Sequence, residues 1–544
     1  MTGSVGQNVT ISGGSNILTL NGNTINGTAG LGILIDNANA FTFTINCGLK
    51  IGSAQSWTNN SSNLFTVGGA VNTNNKALTI NGGGNTTISG VVSGGGAITN
   101  AGNGTLTLSN TGDAYTGRLT VQAGTLSIDT INNASTNGEL GNNALSVILG
   151  NTGGVTGTLE YTGSTASTTK KFTMATGGTG AFQVDTAGTT LTLSGVIDGS
   201  GALSKTGAGT LVLSASNTYT GGTTVSAGTL RDSASERLAD SGALTVSGGT
   251  FDVQTFTESV GTVTLSGGSI TGTGAGTVTG SSYTMQSGTV SVILGGAAAL
   301  TKTTSGTVTL SGANTFTGTT TVSAGTLILA ASSGSALGST SSITVNSGGT
   351  LLLGANDQIN NSASMTLAGG TFAKGNFGEG TASSVGVGAL TLTASGSHID
   401  FGTGAVGVLS FASFNPGSYT LTIDNWIGAA DTVGSASTDR LIFGSDQTVN
   451  LVDFSFTGYA PGAVEFALGS GFYEVVPAIP EPGSYIAGIL ALAMLVYHER
   501  RNLLRLVRRQ VRVTDKRQPC CPKEKLRCNS RFLVQSKLWG GEGL

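Results

Sequence analysis

Histidine occurs only twice in the 544 residues, as His398 and His498, and neither sits in a motif that supplies a nucleophile. A Ser-His-Asp relay needs all three groups converging, so the sequence offers no credible triad. Paired carboxylates would suit glycoside cleavage. The body carries Asp185, Asp198, Asp232, Asp240 and Asp252, but each falls singly among turn residues, where Asp is favoured for bonding its own backbone. Of four cysteines, Cys47 stands alone in an apolar strand context and reads as buried. Cys520, Cys521 and Cys528 lie together near the end without a well-placed fourth ligand, a poor zinc pattern. Matches to Gly-x-Gly-x-x-Gly carry no weight when 89 residues are glycine and no helix follows. The expectation is a protein with no catalytic residues, no metal and no cofactor.

What must be positioned is therefore a surface. Charged residues make up 9% of the chain, against roughly 25% in an ordinary soluble domain. Thr, Ser, Asn, Gly, Leu and Val fill the rest, a mixture of strand formers and turn formers with enough apolar content (38%) to build a core. Residues 1–482 hold 11 basic and 23 acidic side chains, whereas residues 483–544 hold 13 and 4. Two different objects have been joined. A mildly acidic body without clustered Lys and Arg cannot neutralise phosphates, which excludes nucleic acid as a partner.

Three long stretches repeat. They read GGGAITNAGNGTLTLSNTGDAYTGRLTVQAGTL at 94–126, GSGALSKTGAGTLVLSASNTYTGGTTVSAGTL at 199–230 and GGAAALTKTTSGTVTLSGANTFTGTTTVSAGTL at 295–327. The aromatic before Thr-Gly falls at Tyr115, Tyr219 and Phe316, and the closing leucine at Leu126, Leu230 and Leu327, so both landmarks give offsets of 104 and 97. Apolar residues alternate within each copy, as at Leu106 and Leu108, Leu211 and Leu213, Val308 and Leu310, which is strand periodicity. Gly124, Gly228 and Gly325, with Asp113, Asn217 and Asn314, mark turns too frequent for any helix to run.

Short strands with tight corners, none able to bury its own apolar face, stack most economically as a solenoid of roughly 20 residues per coil. A row of β-sandwiches is the rival, but proline is scarce and few charges guard sheet edges. The phrase GTLxLSxxNTYTGGTTVxAGTL resembles the autotransporter-associated β-strand repeat family of bacterial secreted and surface proteins. That resemblance implies a right-handed parallel β-helix, exported and surface-associated, with no catalytic residues. The family's usual membrane barrel of alternating ten-residue strands has no counterpart in this sequence.

From about Ala389 the style changes and aromatics gather, among them Phe411, Phe414, Trp426, Phe443, Phe454, Phe456, Tyr459 and Phe472. We expect a compact β end-piece over 386–476 that closes a β-helix of residues 1–385, and the alternative is a glycan-binding face built on Trp426 and Tyr459. Next comes Pro480-Glu481-Pro482, then an apolar run from Ser484 to Tyr497 that includes Ile486, Ile489, Leu490, Leu492 and Leu495. Arg500, Arg501, Arg505, Arg508 and Arg509 follow. A proline hinge, an apolar helix and a basic cluster in that order suit a membrane anchor with its basic end held inside, although 14 residues are short of the roughly 20 that span a bilayer. The segment 477–509 resembles the PEP-CTERM sorting signal of Gram-negative bacteria. The resemblance implies Pro480, Glu481 and Pro482 as recognition residues for an exosortase-type sorting enzyme and Ser484–Tyr497 as the transmembrane helix. Such signals end shortly after the basic cluster, whereas a basic, cysteine-containing tail continues here over 510–544 and is expected to be disordered. The opening MTGSVGQNVTISGG shows no basic-then-apolar leader pattern, so the natural start is expected upstream.

The sequence thus predicts an all-β protein: a right-handed parallel β-helix, a β-rich end-piece and one C-terminal transmembrane helix. Its expected role is non-enzymatic, as an exported adhesin-like protein of the cell surface, attaching to surfaces or to extracellular polysaccharide. The alternatives are a glycan-binding or glycan-cleaving β-helix and a degraded passenger fragment.

Overall fold

The computed structural model describes residues 8–36, 41–479, 490 and 492–503. Contacts divide the chain into residues 1–479 and 480–544. Residues of the first unit form a parallel β-solenoid of the right-handed type with about 18 turns. At about 4.8 Å per turn the stack is on the order of 85 Å long.

Each turn lays a strand on the first face and on one or both of two further faces. The first face is a continuous sheet of 22 strands, the second is made of sheets of 4 and then 14, and the third of sheets of 9 and then 3. Apart from the antiparallel pair Asn23–Ile25 and Thr28–Ile35 near the start and the last two strands, pairing is parallel along the stack, so like positions of successive turns form columns. One inward column runs Leu106, Leu126, Leu159 and Phe182 on the first face. All four are essentially inaccessible to solvent. Burying one such side chain stabilises by roughly 1.5 to 3 kcal/mol, and the column offers no isolated turn a way to collect that energy alone. Outward, a row of threonines runs unbroken from Thr224 through Thr245, Thr264, Thr284, Thr301, Thr321, Thr344 and Thr366 to Thr391.

The corners explain the glycines. Gly124, Gly228 and Gly325 have φ of 63°, 59° and 66°, the left-handed region. A Cβ there would lie 2.4, 2.3 and 2.4 Å from the carbonyl oxygens of Gly104, Gly209 and Gly306 in the turn below. Only glycine satisfies both conditions.

The unequal offsets of the three motif copies have a structural meaning. In the second and third copies the Thr-Thr-Val strands, Thr223–Val225 and Thr320–Val322, lie on the first face, and the Ala-Gly-Thr-Leu strands, Thr229–Asp232 and Gly325–Leu329, on the second. In the first copy the equivalent strands, Leu119–Val121 and Gly124–Ile128, lie on the third and first faces. The first copy is therefore one face out of phase. The offset of 97 is five whole turns, and that of 104 is four turns and one face.

Beyond residue 385, strands Val387–Ala394, Ser397–Asp400, Val408–Asn415, Leu421–Asp424, Arg440–Phe443 and Phe454–Phe456 continue the first and second faces in parallel. In this region the last two strands, Ala463–Gly469 and Phe472–Pro477, turn antiparallel. The aromatics enlarge the core rather than change the fold: Phe414 lies 4.7 Å from Phe454 and Phe411 stacks on Phe443 at 5.8 Å.

Among the described residues no helix is long and apolar enough to cross a membrane. Residues 492–503 are helical, and Leu490, Leu492, Leu495, Tyr497, Arg500 and Arg501 are exposed. Pro480, Glu481, Pro482, Ser484, Ile486, Ile489, Arg505, Arg508, Arg509 and the three distal cysteines lie outside the described residues.

Candidate functional site

The acids picked out in the sequence do not converge. Asp185 accepts a hydrogen bond from Gln183 Nε2 at 2.7 Å, and Asp198 one from Thr173 Oγ1 at 2.5 Å. Asp252 pairs with Arg231 at 3.0 Å and accepts from the Gln254 N–H, and Asp240 is exposed. Asp232 alone is deeply buried. His398 Nδ1 lies 2.7 Å from Asp424 Oδ2, and Asp424 Oδ1 accepts from Thr457 Oγ1 at 2.6 Å, a chain of polar contacts along adjacent turns of the second face. Among the described residues no group of three or more His, Cys, Asp and Glu side chains is placed to hold a metal ion. Cys47 is free and buried.

The aromatic alternative is also displaced. Trp426 is packed edge-on between Phe401 and Phe456, at 5.0 and 5.2 Å, and Tyr459 donates its hydroxyl to the Gly428 carbonyl. Their ring faces serve the core. A groove of about 380 Å³ lies at the closing end, lined by Asp446, Thr448, Leu451, Val464, Glu465, Ala467 and Tyr473. Hydrogen bonds from Thr448 hold the Asp446 carboxyl below its usual range, whereas burial raises that of Glu465.

The distinctive chemistry is inside the rod. Each motif copy carries one inward polar residue at the end of a strand, directly before a corner: Asn100, Lys205 and Lys302. All three reach the same carbonyl of the Ala-Gly-Thr-Leu corner one turn on. Asn100 Nδ2 lies 3.2 Å from Ala123 O, Lys205 Nζ 3.3 Å from Ala227 O, and Lys302 Nζ 3.1 Å from Ala324 O. Lys205 also donates to Thr206 O and Gly207 O, and Lys302 to Thr304 O. These side chains collect corner carbonyls that a stacked turn cannot show to water. Burial lowers the Lys205 ammonium to about 8.

The turn residues Asp113, Asn217 and Asn314 form a second device, across turns. Asn217 accepts the Ile197 N–H below at 2.9 Å and donates to Arg237 O above at 2.8 Å; Asn314 does the same with Leu294 and Ala336, both at 2.8 Å. Asp113 accepts from Val92 at 2.7 Å, but its other oxygen is buried without a partner, and burial raises the carboxyl to about 7. Buried glutamates bind pairs of loop N–H groups in the same manner. Glu258 takes those of Arg237 and Leu238, and Glu379 those of Gln358 and Ile359. Near the end, Lys374 and Asp439 form an ion pair at 3.4 Å with both side chains wholly buried. The lysine position is legible in the sequence: alternation places residues 205 and 302 inward, where a cation needs a partner. The cross-turn partners are not, because they depend on which turns stack.

A columnar apolar core held by internal polar and charged clamps, with no converged reactive groups among the described residues, defines a repeat scaffold of the β-solenoid class. Residues 98–128, 203–231 and 300–329 match the family model described as the passenger-associated-transport-repeat. A curated relative, the adhesin BmaC autotransporter of Brucella suis biovar 1 (strain 1330), is 36% identical over 189 residues, which cover 34% of this chain and 5% of the relative. The chain therefore aligns with about one twentieth of that protein's length. No solved structure matches the chain.

Proposed function

We propose that this protein is a non-enzymatic, exported rod of adhesin type, displayed at the cell surface of a Gram-negative bacterium. The observation that carries this reading is the placement of the three family-matching repeats in one unbroken stack, where every motif residue is spent on strands, corners and clamps. Such a stack offers long, flat rows of neutral hydroxyls, suited to weak contacts repeated many times rather than to one pocket. Extracellular polysaccharide is the partner class that best fits a hydroxyl-rich, nearly uncharged surface, in attachment or in a biofilm matrix. Sorting by an exosortase-type enzyme at Pro480-Glu481-Pro482, with the apolar run to Tyr497 as a transient or lasting membrane anchor, completes the proposal and rests on the sequence pattern.

Fractionation of the native host with mass spectrometry of the mature ends tests it. We expect the protein in the envelope or medium, with its downstream end between Pro480 and Gly483. Recovery from the cytoplasm of a chain still running to Leu544 would refute both export and sorting.

A further inference from the structure

On the second face an inward column of leucines runs into an acid. Leu193 stacks on Leu213, and Leu213 on Asp232. Asp232 is 1% exposed and neither of its oxygens receives a hydrogen bond. A buried carboxylate without a donor is costly, several kcal/mol in the effective medium of a protein interior. The group beside it is Glu258, another buried carboxyl, whose own oxygens are occupied by the N–H groups of Arg237 and Leu238 at 2.8 Å each. A proton on either carboxyl supplies the donor that the pair lacks.

We propose that Asp232 and Glu258 form a proton-operated joint in the rod, closed while the pair holds a proton and opening locally over residues 229–260 when both carboxyls ionise. The two residues lie in consecutive turns, Asp232 on the second-face strand Thr229–Asp232 and Glu258 on the third-face strand Thr257–Ser259, so repulsion between them acts across the interior between neighbouring turns. The other charged or titratable groups facing the pair are Tyr219, Glu236, Arg237 and Asp252, the last already paired with Arg231. Arg237 is the one cation among them acting on Asp232, and its Nε is buried without a partner. Glu236 and Asp252 oppose it.

The direction of the response follows from where the proton is bound. Burial raises Glu258 to about 7 and Asp232 well above the carboxylate range. The closed turn holds a proton that an opened turn releases, so closure is fully favoured below the ordinary carboxyl range and weakens as pH rises through the raised range in which the two carboxyls ionise. The ligand of this buried site is the proton itself.

Hydrogen exchange with mass spectrometry on the full chain, at pH 5.5 and 8.5 and corrected for intrinsic exchange, tests the joint. Peptides over 229–260 are expected to lose roughly tenfold or more protection relative to peptides over 300–329. In Asp232→Leu, which continues the leucine column, and in Asp232→Asn, which keeps the shape and adds a donor, that excess loss is expected to vanish. Equal changes in the two segments of the wild-type chain would overturn the proposal. So would an excess loss retained in whichever of the two variants folds.

Discussion

Gly228→Val is expected to unstack the second motif copy, at a cost of roughly 2 to 5 kcal/mol. The sum has two sources. A branched residue held at φ 59° carries a left-handed penalty of about 1 to 2 kcal/mol. The clash of its Cβ with Gly209 O at 2.3 Å and Gly207 O at 2.4 Å involves backbone on both sides, so relief requires separating turns, with a further overpacking cost of about 1 to 3 kcal/mol. Because a solenoid's stability is a sum of neighbouring interfaces, the damage should be local: hydrogen exchange accelerates over residues 205–250 while the turns near Thr366 keep their protection. Gly83 is the control, since a Cβ there meets nothing within 4 Å, and Gly83→Ala should leave stability unchanged or raise it by up to about 1 kcal/mol. If Gly228→Val melts and exchanges like the wild type, the corner geometry is wrong.

Asp439→Leu should cost a comparable amount at the other end. Asp439 closes three contacts at once: the Lys374 ammonium at 3.4 Å, the Gly407 N–H at 3.0 Å and the Ile427 N–H at 2.9 Å. Removing it leaves a buried cation without its counter-charge, typically about 3 to 5 kcal/mol, and two N–H groups without an acceptor. Lys374 keeps the carbonyls of Gly375 and Ala405, at 3.1 and 2.5 Å, and a place over the Phe401 ring, so its own anchoring is partly retained. Asp439→Asn, which preserves one acceptor oxygen, should fall between the two. The readout is thermal unfolding together with exchange over 401–440. An asparagine variant as stable as the wild type would show that the ion pair contributes nothing.

Much of this scaffold is legible in the amino-acid pattern. Alternation at Leu211 and Leu213 or Val308 and Leu310 places strands and their inward faces, and the repeated Ala-Gly-Thr-Leu locates the corners. What the pattern hides has a common cause. A column is made of residues about 20 positions apart, with the spacing varying from turn to turn, so the ties from Asn217 to Arg237 and from Lys374 to Asp439 follow from turn length, which one sequence does not state. The shift of the first copy by one face is present in the unequal offsets, but its meaning depends on strand pairing. The change of style near Ala389 suggests a change of fold because large aromatics look like a separate core. In the rod they widen the existing one, as Phe372 against Phe411 shows at 6.2 Å. Asp232 reads as a turn residue, and only its place above Leu213 reveals a buried acid.

The central claim is that the motif copies are interchangeable scaffolding in a single stack. Deleting Thr224–Thr320 tests it most directly, because that excision joins Thr223 to Thr321, removes five whole turns and leaves every strand on its own face. Small-angle scattering on the rod and its shortened form should show the same cross-section and a length reduced by about 24 Å, five rises of about 4.8 Å, with β-structure retained. A shortened chain that loses its β-structure, or keeps the full length, would contradict the account.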